Sequence, residues 1–154
     1  MVMAWRFGLV DAAAVTDVIR DPALLAQWMV GVPERLHADL RWPAAGSFVQ
    51  RYDGQETRGR HKYNRHLIVA IVETWTPDVE LVCRLRSGLG GWVRLAIALQ
   101  PRPGGCLIEV RSEPLTATAR LRYAGPAQSR AEDRCGAVAE GLINLARASN
   151  PDPE

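Results

Sequence analysis

Long hydrophobic runs are missing from this sequence. Its longest uninterrupted apolar stretch is residues 67–72, against the roughly 20 residues that a membrane-spanning helix needs. A basic leader is missing too: the N-terminus reads MVMAWRFGLVDAA, with one Arg and no positive region ahead of its apolar residues. No signal peptide and no membrane span are therefore expected, and the cytoplasm is the expected compartment. Cysteine is sparse. Cys83, Cys106 and Cys135 are odd in number, far apart and without a CxxC pairing, which argues against a disulfide framework and against a zinc site. Buried free thiols are expected instead. Charge of one sign is also scarce, since 19 Lys and Arg against 17 Asp and Glu leave a net +2. So even a balance gives no overall drive toward nucleic acid or an anionic membrane. HExxH strings, phosphate loops and a Ser/His/Asp order are absent, so no motif points to metal, nucleotide or triad chemistry. No cofactor and no metal are expected.

What is present is an ordinary globular composition, 154 residues with 47% hydrophobic and 23% charged. That length suits one domain with a real core, expected over residues 1–149, with 150–154 as a short tail. Period-two alternation over residues 3–9 predicts a first strand, with Trp5, Phe7 and Leu9 on one side. Asp11 offers an N-cap to a helix over 12–20, whose Val15, Val18 and Ile19 share a face. Asp21-Pro22 starts a second helix to about residue 29, burying Leu24, Leu25 and Trp28 and ending at Gly31.

Beyond Pro33 the pattern becomes that of strands. Leu36, Ala38, Leu40 and Trp42 alternate with Arg35, His37, Asp39 and Arg41; a strand over 47–53 leads to the hairpin signal Asp53-Gly54. Further strands are expected over 64–76, 79–85, 92–100 and 106–113, joined by Pro- and Gly-rich turns, hence an antiparallel meander. Gly125-Pro126 opens a helix to residue 149, stopped by Asn150-Pro151. Its apolar side carries Ala131, Cys135, Val138, Ala139, Leu142, Leu145 and Ala146, with Arg130, Glu132, Asp133, Arg134 and Glu140 on or near the other. A meander with one apolar face needs a cover, and this helix is the only long one on offer. The expected class is α+β: a curved antiparallel sheet wrapped around a long C-terminal helix, with two short helices after the first strand.

The stretch VTDVIRDPALLAQWMVG, residues 15–31, resembles the opening of the START-like superfamily, also called SRPBCC or polyketide cyclase/dehydrase-like proteins. Asp21, Pro22 and Trp28 match its Asp-Pro step and the Trp closing its second helix. Gly46 before a strand, Glu73 followed by Pro77 and Leu81, and Gly104-Gly105 before a strand fit its later pattern, so the resemblance covers residues 3–148. It implies a helix-grip fold and a cavity for an apolar or amphipathic small molecule. It implies no reaction, because such proteins include lipid carriers, aromatic polyketide cyclases, ubiquinone-binding proteins, ribosome-associated toxins and chaperone activators.

The interior of each strand is expected on the side without charge. Taking Glu73 as outward turns His66, Ile68, Ala70, Val72 and Thr74 inward. Taking Arg51 as outward turns Phe48, Gln50 and Tyr52 inward. The last strand turns Cys106, Ile108, Val110 and Ser112 inward. With Val138 and Leu142 of the long helix, the expected ligand contacts are thus apolar (Phe48, Ile68, Ala70, Ile108) with polar points at Gln50, Tyr52, His66, Thr74 and Ser112. The leading reading is binding or carriage of a hydrophobic small molecule such as a lipid, polyketide or isoprenoid. The alternative is a polyketide cyclase or aromatase, with His66 as general acid or base and Tyr52 donating to a developing enolate oxygen. A second alternative uses the basic segment 58–66 (Arg58, Arg60, His61, Lys62, Arg65, His66) as a protein- or RNA-interaction module, although the balanced charge elsewhere favours a solvated hairpin over nucleic-acid binding. Finally, Leu67, Val69, Ile71 and Trp75, joined by Val82 and Trp92, would form an apolar outer face suited to a homodimer or to a covering terminal segment.

Overall fold

A computed structural model of the protein describes residues 1–29, 35–87 and 90–149. Among the described residues, seven strands form one antiparallel sheet in the order β1-β7-β6-β5-β4-β3-β2. They are β1 (Val2–Gly8), β2 (Leu36–Ala38), β3 (Phe48–Arg58), β4 (His61–Thr76), β5 (Glu80–Arg86), β6 (Trp92–Arg102) and β7 (Gly105–Pro114). Strands β3 to β7 follow one another as hairpins. Gly104, at φ 82°, takes the left-handed step between β6 and β7 that a side chain would resist. The helices are α1 (Ala12–Arg20), α2 (Leu25–Trp28), α3 (Ala117–Arg120) and α4 (Pro126–Ser149), with 3₁₀ turns at Pro22–Leu24 and Leu121–Tyr123. This is the α+β helix-grip arrangement: α4 lies along β1 and β7 and against α1 and α2.

Helix α1 starts and stops where its pattern predicts, and Val15, Val18 and Ile19 are buried. Its N-cap Asp11 contributes through the backbone carbonyl, which accepts from Ala14 and Val15, with no side-chain capping bond. Asp21 does cap by side chain, accepting from Ala23 N at 3.0 Å. The second helix is a 3₁₀ turn running into α2, burying Leu25 and Trp28 completely. The buried Thr16 hydroxyl accepts the Asp78 amide at 2.9 Å and ties α1 to the β4–β5 turn. The predicted stops at Gly31 and at Asn150-Pro151, and the 150–154 tail, lie outside the described residues.

Close approach decides how α4 meets β1. A Cβ on Gly8 would stand 2.8 Å from two atoms of Ile143, so the absence of a side chain sets the spacing. Arg6 reaches across the same interface to Glu140 at 3.0 Å. The inner face of β1 is therefore Val2, Ala4, Arg6 and Gly8. The bulkier Trp5 and Phe7 point the other way, 58% and 47% exposed.

Two expectations about strands are corrected. The strand through residues 35–42 ends at Ala38, because Asp39 turns the chain by accepting the Arg41 amide. Leu40 is left in solvent, while Trp42 is buried with its indole N–H donating to Ile19 O at 2.9 Å. Strand β4 also breaks its alternation twice. Val49 and Gln50 pair with Ala70 and Ile68, and Val72 and Thr74 pair with Cys83 and Val82, so Val69 and Glu73 are each one residue too many. Each such bulge flips the facing of everything beyond it. Only Ala70 and Val72, between the bulges, keep the inward facing expected of them. Thr74 shares its row with the outward Val82, while Trp75 packs toward the core opposite Leu81. On the other side, Ile68 and His66 turn outward.

Strand β3 follows suit. Val49 is fully buried, so Arg51 shares the inner phase, and Phe48, Gln50 and Tyr52 point outward. The apolar outer face expected for an oligomer is consequently broken up, since Val69 is buried and Trp75 faces inward. The outer surface of the central strands is charged instead: Glu73 pairs with Arg84 at 3.2 Å and Arg94 at 3.0 Å, and Arg94 also reaches Glu113 at 2.8 Å.

Candidate functional site

Register rows locate the hollow under α4. Leu85 and Val93 pair across β5 and β6 in one row, and Leu95 pairs with Ser112 across β6 and β7 in the next. These rows sit near the end of the sheet at the β5–β6 connection. Helix α4 covers them with its first half only, through Ala131, Cys135 and Val138, and Met29 closes a side. The second half of α4, with Ala139, Leu142 and Ala146 fully buried, is packed solid. What remains is a cavity of about 80 Å³, partly open to solvent. On a need of about 10–15 Å³ per water centre, that holds several waters or part of an organic ligand.

Its walls are chiefly Leu85, Val93, Leu95, Ala131, Val138 and Met29, with polar groups at a few points. The Ser112 and Tyr123 hydroxyls are hydrogen-bonded to each other, pinning the Leu121–Tyr123 turn to β7. Ser87 is buried, and among the described residues its Oγ has no partner. Three arginines also border the cavity. Arg86 is engaged: its Nε donates to Ile68 O at 2.9 Å and its guanidinium lies 4.7 Å from the centre of the Trp92 ring. Arg122 and Arg134 are half-buried, and among the described residues neither has an ion-pair partner. Burial pushes the Cys135 thiol up to about 11 despite the nearby Arg134, so it stays neutral near pH 7. All three cysteines are free and buried.

Of the ligand contacts expected from the sequence, Ser112 and Val138 line this cavity. Ala70, Ile108 and Leu142 face inward but are fully buried in packed core. Phe48, Gln50, Ile68 and Thr74 lie on the outward phase. Tyr52 and His66 are brought together, paired across β3 and β4 with ring centroids 6.1 Å apart, yet they stand on the exposed stem of a two-stranded ribbon. That ribbon continues through the basic segment 58–66 in solvent, beyond the reach of β5, whose described pairing with β4 begins at Ala70.

Sequence reasoning missed Arg122 and Tyr123 because residues 115–124 carry no clear period. A signal was there in Thr116 ahead of an Ala-rich turn: its Oγ1 accepts the Ala119 and Trp92 amides, an N-cap that also clamps the β5–β6 connection. Arg134 was placed on the polar side of α4, although it is one turn from Val138 and so borders the same opening.

The fold is a helix-grip, an antiparallel sheet closed around one long C-terminal helix. No family model matches the chain, and no curated protein matches it. Solved structures do. Protein MLL2253 from Mesorhizobium loti is similar with a TM-score of 0.66 at 15% identity, over 99% of this chain and 98% of its own. DynU16, from the dynemicin biosynthetic locus, is similar with a TM-score of 0.65 at 15% identity, over 99% of this chain and 48% of its own. The di-domain ARO/CYC StfQ of the steffimycin pathway gives 0.57 at 14% identity, over 95% and 48%. This chain thus spans about half of each of the latter two. At such identities the likeness is one of fold. Among the described residues, no helix is long and apolar enough to cross a membrane.

Proposed function

We propose that this protein binds or carries a hydrophobic small molecule in the cavity beneath the first half of α4. The observation that carries this reading is the contrast along one helix. Ala139, Leu142 and Ala146 are packed to full burial, whereas one to two turns earlier the same apolar face borders a hollow of about 80 Å³. Close packing is the default for a protein interior, and an apolar hollow with sparse polar groups is the usual form of a ligand site. Native mass spectrometry of freshly purified protein tests it: a mass excess that is released on denaturation and extracts into organic solvent is expected. A bare chain that also fails to take up a neutral apolar dye such as Nile red would refute it.

A second reading, cyclisation or dehydration of a polyketide-like chain, is favoured by the Ser112–Tyr123 hydroxyl pair on the cavity wall. The fold likeness to StfQ and DynU16 adds to it. In this form the donor to a developing enolate oxygen is Tyr123, in place of Tyr52 and His66. Tyr123→Phe then abolishes turnover of a poly-keto thioester while leaving its binding intact; unchanged turnover rules the chemistry out.

A further inference from the structure

Resting on the cavity-binding reading, we infer that the ligand is amphipathic, with an anionic oxygen head, carboxylate or phosphate, received by Arg122, Arg134 and Ser87. The two arginines come to the cavity from different elements, the Leu121–Tyr123 turn and α4. Among the described residues no Asp or Glu borders the cavity and neither guanidinium is ion-paired. On the outer face, by contrast, Arg84 and Arg94 meet Glu73 and Glu113, and Arg6 meets Glu140 beside β1. Two half-buried cations with no ion-pair partner among the described residues lose hydration, a cost that an arriving anion offsets.

Ser87 supplies the independent observation. It is 6% exposed, borders the same cavity, and its hydroxyl has no partner among the described residues. A buried hydroxyl left unbonded is unfavourable unless something completes it. An oxygen acceptor within reach of Arg122 and Arg134 would do so. Arg86 is excluded from this role, being held by Ile68 O and the Trp92 ring. The apolar lining, Leu85, Val93, Leu95 and Val138, takes the apolar body.

Three probes with one apolar body and different heads test this by titration calorimetry: 2-naphthoate, 2-naphthyl phosphate and neutral 2-naphthalenemethanol. The better anion is expected to bind roughly tenfold to hundredfold more tightly than the alcohol, the worth of one charge-assisted hydrogen bond. Which anion wins identifies the head. Arg122→Gln with Arg134→Gln should erase the preference and leave the alcohol's affinity unchanged. If that double variant fails to fold, Ser87→Ala, which keeps both charges, should lower anion affinity severalfold and spare the alcohol. Equal affinities for the three probes overturn the anionic head and leave the cavity reading standing. Nile red uptake with no naphthyl probe bound does the same, whereas failure of every probe, Nile red included, overturns both.

Discussion

Val138 and Leu142 stand one turn apart on α4, 4% and 0% exposed, and truncating each to alanine separates a hollow interior from a packed one. Leu142 is enclosed on every side. Leu142→Ala removes the transfer free energy of its branched end and opens a void that rigid neighbours fill only partly, for a cost of about 3–5 kcal/mol. Val138 already borders empty space. Val138→Ala enlarges an existing hollow, so the cavity penalty is largely absent and the cost is the transfer of two methyl groups, about 1.6 kcal/mol at about 0.8 kcal/mol apiece. In a domain of this size that difference separates the two variants by several degrees in Tm, at about 2–4 °C per kcal/mol. Urea unfolding followed by circular dichroism, with an unchanged slope in both variants, is the appropriate assay. Equal losses, or a larger loss at Val138, would mean that the hollow is filled by packed side chains and would remove the physical basis for a ligand site.

The same packing makes three further outcomes testable. Gly8→Ala places a methyl 2.8 Å from Ile143 and should destabilise by about 1–3 kcal/mol, a loss that Ile143→Val partly restores in the double variant measured by the same unfolding assay. Burial pushes the Cys83 thiol up to about 12 and Cys135 up to about 11, above the ordinary 9.0. Both thiols are therefore largely neutral in either state below about pH 8, and stability falls as pH rises through 9 toward 11 and 12 because the unfolded chain ionises first; native protein at pH 8 should resist a thiol reagent that labels it promptly in denaturant. Tyr52→Phe and His66→Ala, on the exposed stem of the β3–β4 ribbon, should shift stability by less than about 0.5 kcal/mol and leave ligand binding unchanged, and a loss of binding in either would bring the ribbon into the site.

Much of the architecture is legible without coordinates because its signals are local. Asp21-Pro22 and Gly125-Pro126 mark helix starts through capping and fixed φ, which involve only neighbouring residues. The inward faces of β5, β6 and β7 follow from strict alternation, since Leu81 and Cys83, Leu95 to Leu99, and Cys106 to Ser112 keep one register throughout. The site was far less legible. Two extra residues in β4, Val69 and Glu73, reverse the facing of both its ends and carry His66 and Thr74 away from the hollow, while on β3 the charged Arg51 shares the inner phase with Val49 and leaves Gln50 and Tyr52 outward. A bulge is a mismatch between two strands, so no pattern within one strand announces it.

The order of elements, the apolar stripe of α4 and the need for a sheet to receive it can all be read from residue order, because caps, turns and periodicity act over a few residues. Tertiary structure alone decided where along that stripe packing fails, and which polar groups border the gap. Arg122, Tyr123 and Ser87 reach the cavity from segments with no period of their own, and Arg134 reaches it from the helix's polar edge. Their meeting depends on how the Leu121–Tyr123 turn is pinned to β7 by the Ser112–Tyr123 bond, a contact between residues that chain order does not pair.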